Sequence, residues 1–506
     1  LHELMRQFAA EKLAEQDETT AVSGKHARFF YQRLTQTDPA AMTTLTAESD
    51  NLRAAWVRLA HATTMIERSQ AVQMVIPMWR FYRAHGRFSE GERFLGNALT
   101  WIERYPQLAE EKRDVRAEWW RLRAVACESA GDISGAIANG RRATAVAGYP
   151  VPANTFGLIA RLGREFPHQL FLRPISFSTP PASSLLITAT KAYLHITTLA
   201  YQQGETALSF WAAVQALNLA PQTGDDALIV AAMGSGQTLW HLFKWPRRAE
   251  RNHTQVLQRI AQNDLPPEAV VQALNGLVAA DVGYRPWVDL LVLIDKALDY
   301  AAQTPNTVME VIPRLIKGVA LHRSGKLREH LHHTAQFEQL GEQANNLLYM
   351  LYAQCTLTHW LRLGEREKAE EIRRRAADLL PRIHQKSAEV VWMVAELADF
   401  ALWDGDLPQA GRLIEERLEP MLPGWPFNPF ALGLYVVPVS VWLSARQNPA
   451  RTGYTETKLH HTLRRLCLFS RIHIIGKPSY HLCQGLYWAE KRGGGWLARR
   501  HWRHWL

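Results

Sequence analysis

A glycine that ends one helix and begins the turn to the next helix recurs along the chain. This repeat constrains the fold more than any other feature. In the second half of the sequence its period is roughly 40 residues, enough for two helices of about 15 residues and two turns. The pattern predicts an all-α fold, an α-solenoid of antiparallel helix pairs. The predicted turns lie at Gly86, Gly131, Gly204, Trp245-Pro246, Gly283, Gly325, Gly364 and Gly405.

Each of these turns is followed by the same short pattern of small and apolar residues. After Gly131, for example, Ile133 is apolar and both Ala136 and Ala143 are small. The glycine is expected to adopt the left-handed conformation that ends the first helix. The residues after it then share one face of the second helix, where small side chains allow close packing against the first.

The interval between Gly131 and Gly204 is almost two periods, and it contains a proline-rich segment. Six prolines fall within residues 148–184, a density that disfavours continuous helix. We therefore predict an N-terminal helical block at 1–147, a Pro-rich linker at 148–184 and a C-terminal solenoid at 185–506. Because the first residue is Leu1 and the last turn still has a helical pattern, the sequence is expected to be a fragment of a longer chain.

Two features bear on compartment. The 506 residues include only four cysteines, and none of them forms a C-x-x-C pair, which fits a reducing, cytoplasmic location and gives no support to a zinc site. Residues 421–445 carry no charge, but Pro438 interrupts the stretch and it is too short for a bilayer span. A buried core helix is predicted there, and no membrane association is expected.

The motifs that resemble catalytic or ligand-binding sites lack the residues that the chemistry needs. Residues 233–238 (Met-Gly-Ser-Gly-Gln-Thr) have Gln237 where a phosphate loop has lysine, so we interpret them as a close helix contact. His330, His332 and His333 lack a further ligand nearby and are expected on a solvated helix face. We predict no catalytic residue, no metal site and no cofactor, and therefore no enzyme activity in this chain.

The net charge of +10 is concentrated at the end of the chain. Residues 451–506 hold eleven lysines and arginines but only two acids, Glu456 and Glu490, and tryptophans alternate with arginines near the end. Such a mixture can bind phosphates and stack on bases. The same residues also fit a final helix whose tryptophans Trp496, Trp502 and Trp505 pack within the repeat. Packing is the favoured interpretation, with nucleic-acid binding through this segment kept as the alternative function.

Four segments resemble a known family of signalling proteins. Residues 1–13 (LHELMRQFAAEKL) resemble the helix that closes the winged-helix part of bacterial signal-transduction ATPases with numerous domains. Residues 47–55 and 79–95 look like the tetratricopeptide-type array of LuxR-type and AfsR-like regulators. Residues 463–478 are similar to the C-terminal region of ATPases linked to cyclase domains. The resemblance implies a tetratricopeptide-like sensor arm in a transcriptional regulator or a cyclase-linked ATPase, controlling an upstream nucleotide switch.

The leading functional hypothesis is therefore a non-catalytic protein-interaction and regulatory module. A protein partner or the upstream nucleotide-binding domain is expected to bind it, and a small-molecule effector is compatible with it. Nucleic acid is the less favoured partner. Because aromatic side chains commonly anchor protein interfaces, four residues of the N-terminal block are candidate partner-binding positions. These candidates are Trp79, Tyr82, Trp119 and Trp120.

Overall fold

The computed structural model contains the chain from Leu1 to Leu506. The structure describes residues 3–171, 183–304, 307–344, 347–383, 388–422, 428, 431–447, 449, 453–489, 491 and 494–505. The chain separates into two compact units, Leu1–Val151 and Pro152–Leu506.

Within its described residues, 3–151, the first unit has eight helices, with a 3-10 segment at Pro39–Glu48. Buried aromatic and aliphatic side chains between the helices form its core. The helices are α1 Glu3–Glu15, α2 Thr19–Gln36, α3 Ser49–Ala60, α4 Met65–Ala84, α5 Phe88–Glu103, α6 Pro106–Glu111, α7 Arg113–Ser129 and α8 Ile133–Ala147.

The second unit contains the remaining helices, of which α22 continues directly into a π-helical segment, Leu413–Leu418. Its helices are α9 Thr155–Phe171, α10 Ser184–Gln203, α11 Thr206–Thr223, α12 Asp226–Leu242, α13 Pro246–Gln262, α14 Pro267–Asp281, α15 Trp287–Ala301, α16 Val311–Arg323, α17 Leu327–Ala344, α18 Leu347–Gln354, α19 Leu357–Arg362, α20 Arg366–Leu379, α21 Ala388–Trp403, α22 Leu407–Arg412, α23 Leu432–Ala445, α24 Glu456–Ile472, α25 Lys477–Ala489 and α26 Gly495–Trp505.

Sequential helices pack as antiparallel pairs, and the first helices of neighbouring pairs pack on each other. In the second unit α12 contacts α14, α14 contacts α16, α18 contacts α21 and α21 contacts α23. The described part of the chain contains no strand, only an isolated bridge between Val282 and Arg285. The predicted all-α solenoid class is therefore confirmed. No helix in the described ranges is both long and apolar enough to traverse a bilayer.

The seven predicted turn glycines all lie in the left-handed region. Their φ angles run from 66° at Gly86 to 84° at Gly131. At the turn predicted near Trp245-Pro246 the same conformation belongs to a lysine, since Lys244 has φ 55°. A side chain with a Cβ is disfavoured in this region, and for that reason glycine occupies most of these turns.

Replacing Lys244 with glycine is expected to stabilise the second unit by about 0.5–1 kcal/mol, because it removes left-handed strain from an exposed residue. Gly405→Ala is the matched opposite change. An added Cβ there contacts nothing within 4 Å, so only its φ of 79° opposes the substitution, and we expect a loss of about 1 kcal/mol. Urea unfolding of both variants measures the effect, and a destabilised Lys244→Gly variant would contradict this assignment of strain.

The small residues that follow each turn fill the predicted role. A Cβ added at Gly91 would lie 2.8 Å from the ring of Trp79 and 3.2 Å from Tyr82. Ala136 and Ala369, at the equivalent position after later turns, are fully buried. The small residue therefore leaves room for side chains of the preceding helix.

Part of the predicted Pro-rich linker is helical. Helix α9 begins at Thr155, after Pro150 and Pro152, so these prolines precede the helix and do not interrupt it. The Asn154 side chain accepts a hydrogen bond from the Gly157 amide at 2.8 Å and caps the new helix. Helix α9 belongs to the second unit, and residues 172–182 lie outside the described ranges.

Two segments that the sequence led us to interpret as packed helices are packed helices in the structure. Helix α23 lies inside the uncharged stretch, and its Val439 and Trp442 are buried in a core shared with α21 and α24. Gly234 and Gly276 face each other where α12 crosses α14, and a Cβ on Gly276 would come within 2.5 Å of the Gly234 backbone. The segment that resembled a phosphate loop is therefore a close helix contact.

Candidate partner-binding edge

Exposed apolar side chains recur where the first helix of a pair meets its turn in the second unit. They follow the 40-residue period, each lying within two residues of a turn position, and retain between 37 and 58% of their accessible surface. We call this row the turn edge. Its residues are Phe243, Tyr284, Leu363 and Trp403, and the turn between α16 and α17 contributes the half-buried Arg323 at the corresponding place.

A buried carboxylate ties the first two turns of this row together. Asp281, at the end of α14, accepts hydrogen bonds on Oδ1 from His241 Nε2 at 2.7 Å and Gln237 Nε2 at 2.9 Å. Its Oδ2 accepts from His253 Nδ1 at 2.6 Å and Arg285 Nε at 3.1 Å. All four donors come from helices α12 and α13 or from the turn after α14. The carboxylate thus has its acceptor sites occupied although its side chain is only 1% exposed.

The electrostatics of this group favour a charged carboxylate in the interior. Burial alone raises the pKa of Asp281, but the hydrogen bonds from His241, His253 and Gln237 outweigh burial and hold the pKa well below its usual range. The ring of Tyr284 stacks on the ring of His241 with centroids 3.9 Å apart. The network therefore fixes the exposed Tyr284 side chain against α12.

Three histidines lie together in the interior beside the turns at Gly325 and Gly364. We call them the three-histidine cluster: His322, His330 and His359. The ring centroids of His322 and His359 are 4.2 Å apart, and those of His330 and His359 are 4.9 Å apart. His330 and His359 are at most 4% exposed, and their ring nitrogens make no hydrogen bond of good geometry with a described residue.

Burial dominates the acid–base behaviour of the cluster. It lowers the pKa of His322 to about 2, with the charges of His359 and Arg323 adding to the effect. It also lowers the pKa of His330 to about 3 and that of His359 to about 4. The three rings are consequently neutral at physiological pH.

Carboxylates on α21 continue the polar interior of the turn edge. Glu396 Oε2 accepts hydrogen bonds from the Thr358 amide at 3.1 Å and its hydroxyl at 2.7 Å. Asp399 lies 3.8 Å from Arg362. Burial, followed by the charge of Glu396, raises the pKa of Asp399 to about 6 against the opposing charge of Arg362. These contacts join α19 to α21.

Arg366, just after the turn at Gly364, forms an ion pair with Asp404, just before the turn at Gly405. Gly283 approaches the segment between α24 and α25, since an added Cβ would lie 3.0 Å from Ile474 and 3.2 Å from Ile475. The ion pair thus connects two neighbouring turns, and the apolar contact joins the Gly283 turn to the segment between α24 and α25. The exposed residues of the turn edge are therefore held on a fixed scaffold.

The structure places the four sequence-predicted candidates inside the first unit. Trp79, Tyr82, Trp119 and Trp120 are at most 7% exposed and pack between α4, α5, α7 and α8. Tyr82 also accepts a hydrogen bond from Arg53 Nε at 2.8 Å. None of them presents an exposed aromatic face, so their role as partner contacts stays a prediction that the folded surface does not favour.

The expectation of a solvated histidine face on α17 is wrong for two of its three residues. His332 is exposed, but His330 and His333 are buried, with His333 Nε2 hydrogen-bonded to the Arg314 carbonyl at 2.8 Å. The neutral imidazole can be accommodated between helices in a way that a charged side chain cannot. Within the described ranges no three His, Cys, Asp or Glu side chains are arranged to hold a metal ion.

Comparisons with known proteins do not place the chain in a family. No protein-family model matches it, and no curated protein matches it. Among solved structures, a chain in the structure of Naa15/Naa10 bound to HypK-THB aligns with a TM-score of 0.25 and 12% identity. The alignment covers 96% of this chain and 93% of that chain. A similarity this weak carries no functional argument.

Proposed function

We propose that the chain is a non-catalytic interaction scaffold that binds a protein partner along its turn edge. The observation that carries the proposal is the 40-residue recurrence of exposed apolar side chains at one kind of site in the repeat. Surface aromatic and aliphatic residues held on rigid helices supply contact area at low entropic cost. The resemblance to sensor arms of signal-transduction ATPases supports a cytoplasmic regulatory role and an upstream nucleotide-binding domain as one partner.

The spacing of the turn-edge residues and the charge at the centre of the row define which residues a partner segment needs. Packed helices lie about 10 Å apart, and a segment in the polyproline II conformation advances about 3.1 Å per residue with three residues per turn. Every third residue of such a partner lies on one face and can therefore meet a successive turn. Because Arg323 occupies the middle of the row, we infer a segment with an acidic residue at its centre and two apolar residues, three positions apart, on each side.

Selection of random displayed peptides on the purified full chain tests this pattern. We expect enrichment of apolar residues at three-residue spacing around a central aspartate or glutamate. Binding of the enriched peptides should fall at least tenfold for the Phe243→Ser/Trp403→Ser variant, because truncating an aromatic residue that is an interface hot spot costs about 2 kcal/mol or more.

The matched control is Val288→Ser/Val292→Ser, which removes two exposed apolar residues of α15 that are not in the row. This control should bind the enriched peptides as the unsubstituted chain does. Enrichment without the spacing, or equal losses in the two variants, would show that the turn edge is not the binding surface.

A further inference from the structure

The last helix of the second unit presents an arginine-rich outer face. Ala498 and Trp502 of α26 pack inward, and Trp502 fits against Gly485 of α25, where any Cβ would collide with the indole ring. His501 reinforces this contact, with its Nδ1 3.1 Å from Nδ1 of His481. The inward side of α26 is therefore already used for packing against α25.

The opposite side of α26 carries four exposed residues, which we call the outer face: Trp496, Arg499, Arg500 and Arg503. Their spacing of three, four and seven residues places them on one stripe of the helix. Trp496 is 62% exposed, and the Arg500 guanidinium lies 6.0 Å from the centre of its ring. The packing predicted for Trp496 is therefore not observed, whereas Trp502 does pack.

No acid neutralises this face among the described residues. Helix α26 contains no acidic residue, and no ion pair of Arg499, Arg500 or Arg503 is present within the described ranges. The nearby Glu456 is occupied, because it accepts from Lys491 at 2.8 Å and from the Tyr487 hydroxyl at 2.8 Å. Further exposed cations, Arg464, Arg471 and Lys477, lie on or beside α24.

We propose that the outer face of α26 binds single-stranded nucleic acid, with Trp496 stacking on a base and the three arginines contacting phosphates. This function goes beyond the protein-binding role of the turn edge and uses different residues. An exposed base can stack on an indole, and arginine pairs with phosphate in bidentate geometry. An unstacked single strand offers both groups at once, whereas a duplex conceals its base faces.

The same residues fit other anionic partners less well. A helix that binds a membrane surface presents a broad apolar face to the lipid. Here Ala498 and Trp502 face α25, and Trp496 is the only exposed large apolar residue among the α26 side chains that the structure describes. An acidic peptide would use the arginines and leave the indole without a stacking partner. Charge complementarity together with the exposed ring therefore favours a single strand.

Fluorescence anisotropy of the full chain with labelled oligothymidylate and oligouridylate tests the proposal. We expect saturable binding that weakens with salt between about 0.05 and 0.2 M. The Arg499→Gln/Arg500→Gln/Arg503→Gln variant should bind at least tenfold more weakly and lose about two units of the log–log salt slope, since each phosphate contact on a single strand contributes about 0.7. Trp496→Ala should weaken binding roughly tenfold through lost stacking.

Matched controls separate this face from general basicity. Arg247→Gln/Arg251→Gln/Arg328→Gln removes three exposed arginines elsewhere in the second unit, and Phe156→Ala removes another exposed aromatic side chain. Both controls should bind the oligonucleotides as the unsubstituted chain does. Absence of saturable binding, equal losses in the controls, or tighter binding to duplex DNA, polyglutamate or phosphatidylserine vesicles would overturn the proposal.

Discussion

Lowering the pH from 7 to 5 is expected to destabilise the second unit strongly, because the three-histidine cluster is buried in its neutral form. The folded pKa values of His322, His330 and His359, about 2, 3 and 4, lie below the ordinary value of about 6.5 for an unfolded chain. The unfolded chain thus binds more protons below pH 6.5. The stabilisation is fully present above that pH and is lost progressively as the pH falls from 6.5 towards the folded values of about 4 to 2.

Neighbouring carboxyl groups oppose part of this effect. Burial raises the pKa of Asp399 to about 6 and also raises that of Glu396, so the folded chain holds protons there that the unfolded chain releases. The half-buried Arg323 and nearby Arg362 add positive charge and disfavour protonation of the rings. Each excess proton is worth about 1.4 kcal/mol per pH unit, so we expect a net loss of about 1–3 kcal/mol for each unit below pH 6.

Urea unfolding at pH 7, 6 and 5 measures this slope, and a paired substitution assigns it. His330→Leu/His359→Leu replaces two rings that lack well-formed hydrogen bonds with apolar groups. The double variant should therefore lose little unfolding free energy at pH 7. Its unfolding free energy should fall less with decreasing pH, or rise, because two of the three neutral histidines are removed. His332→Leu, at an exposed position on the same helix, should leave the slope unchanged. An unaltered slope in the double variant would locate the acid sensitivity elsewhere.

Substituting a single methyl group at Gly276 is expected to disrupt the second unit. The new Cβ would come within 2.5 Å of the Gly234 carbonyl carbon and oxygen and 2.6 Å of the Ser235 nitrogen. Backbone atoms cannot rotate away as a flexible side chain can, so α12 and α14 must separate. Overpacking of this kind costs about 3 kcal/mol or more.

Gly433→Ala provides the matched control within the same unit. Gly433 also lies in a helix, but an added Cβ there meets nothing within 4 Å. The control should be neutral or stabilising by about 0.5–1 kcal/mol, since alanine favours a helix over glycine. Chemical unfolding together with amide hydrogen exchange of α12 and α14 distinguishes the two. If Gly276→Ala is as stable as Gly433→Ala, the close crossing does not exist in solution.

The sequence predicts the features of the fold that depend on local conformation. A turn glycine such as Gly364 meets a backbone requirement that one residue satisfies alone, and an alanine five positions later satisfies a packing requirement within the same pair. Both therefore recur with the repeat. The turn at Lys244 shows the limit of this rule, because the conformation is kept there without the glycine.

The candidate site depends on contacts between pairs and is harder to predict. Composition alone does not distinguish the buried Trp79 from the exposed Trp403, since both are aromatic residues on first helices. The ring contact between His322 and His359 likewise depends on which helices become neighbours in the fold. One signal for the turn edge was present in the sequence: large side chains within two residues of a turn, repeated at the period of the turns themselves.

A double-mutant cycle between the turn edge and a synthetic peptide tests the proposed scaffold role most directly. The peptide has about 13 residues, with the apolar–apolar–acidic–apolar–apolar pattern at three-residue spacing. Binding is measured by anisotropy for the unsubstituted full chain and for its Phe243→Ser and Trp403→Ser variants. Each protein is tested with the intact peptide and with peptides in which the side chain of one terminal apolar residue is truncated.

Trp403 should couple to one peptide end and Phe243 to the other, each by about 1 kcal/mol or more, because only residues in contact show non-additive effects. A shuffled peptide of the same composition should bind at least tenfold more weakly. Strictly additive losses at both ends, or equal binding of the patterned and shuffled peptides, would contradict a partner segment lying along the turn edge.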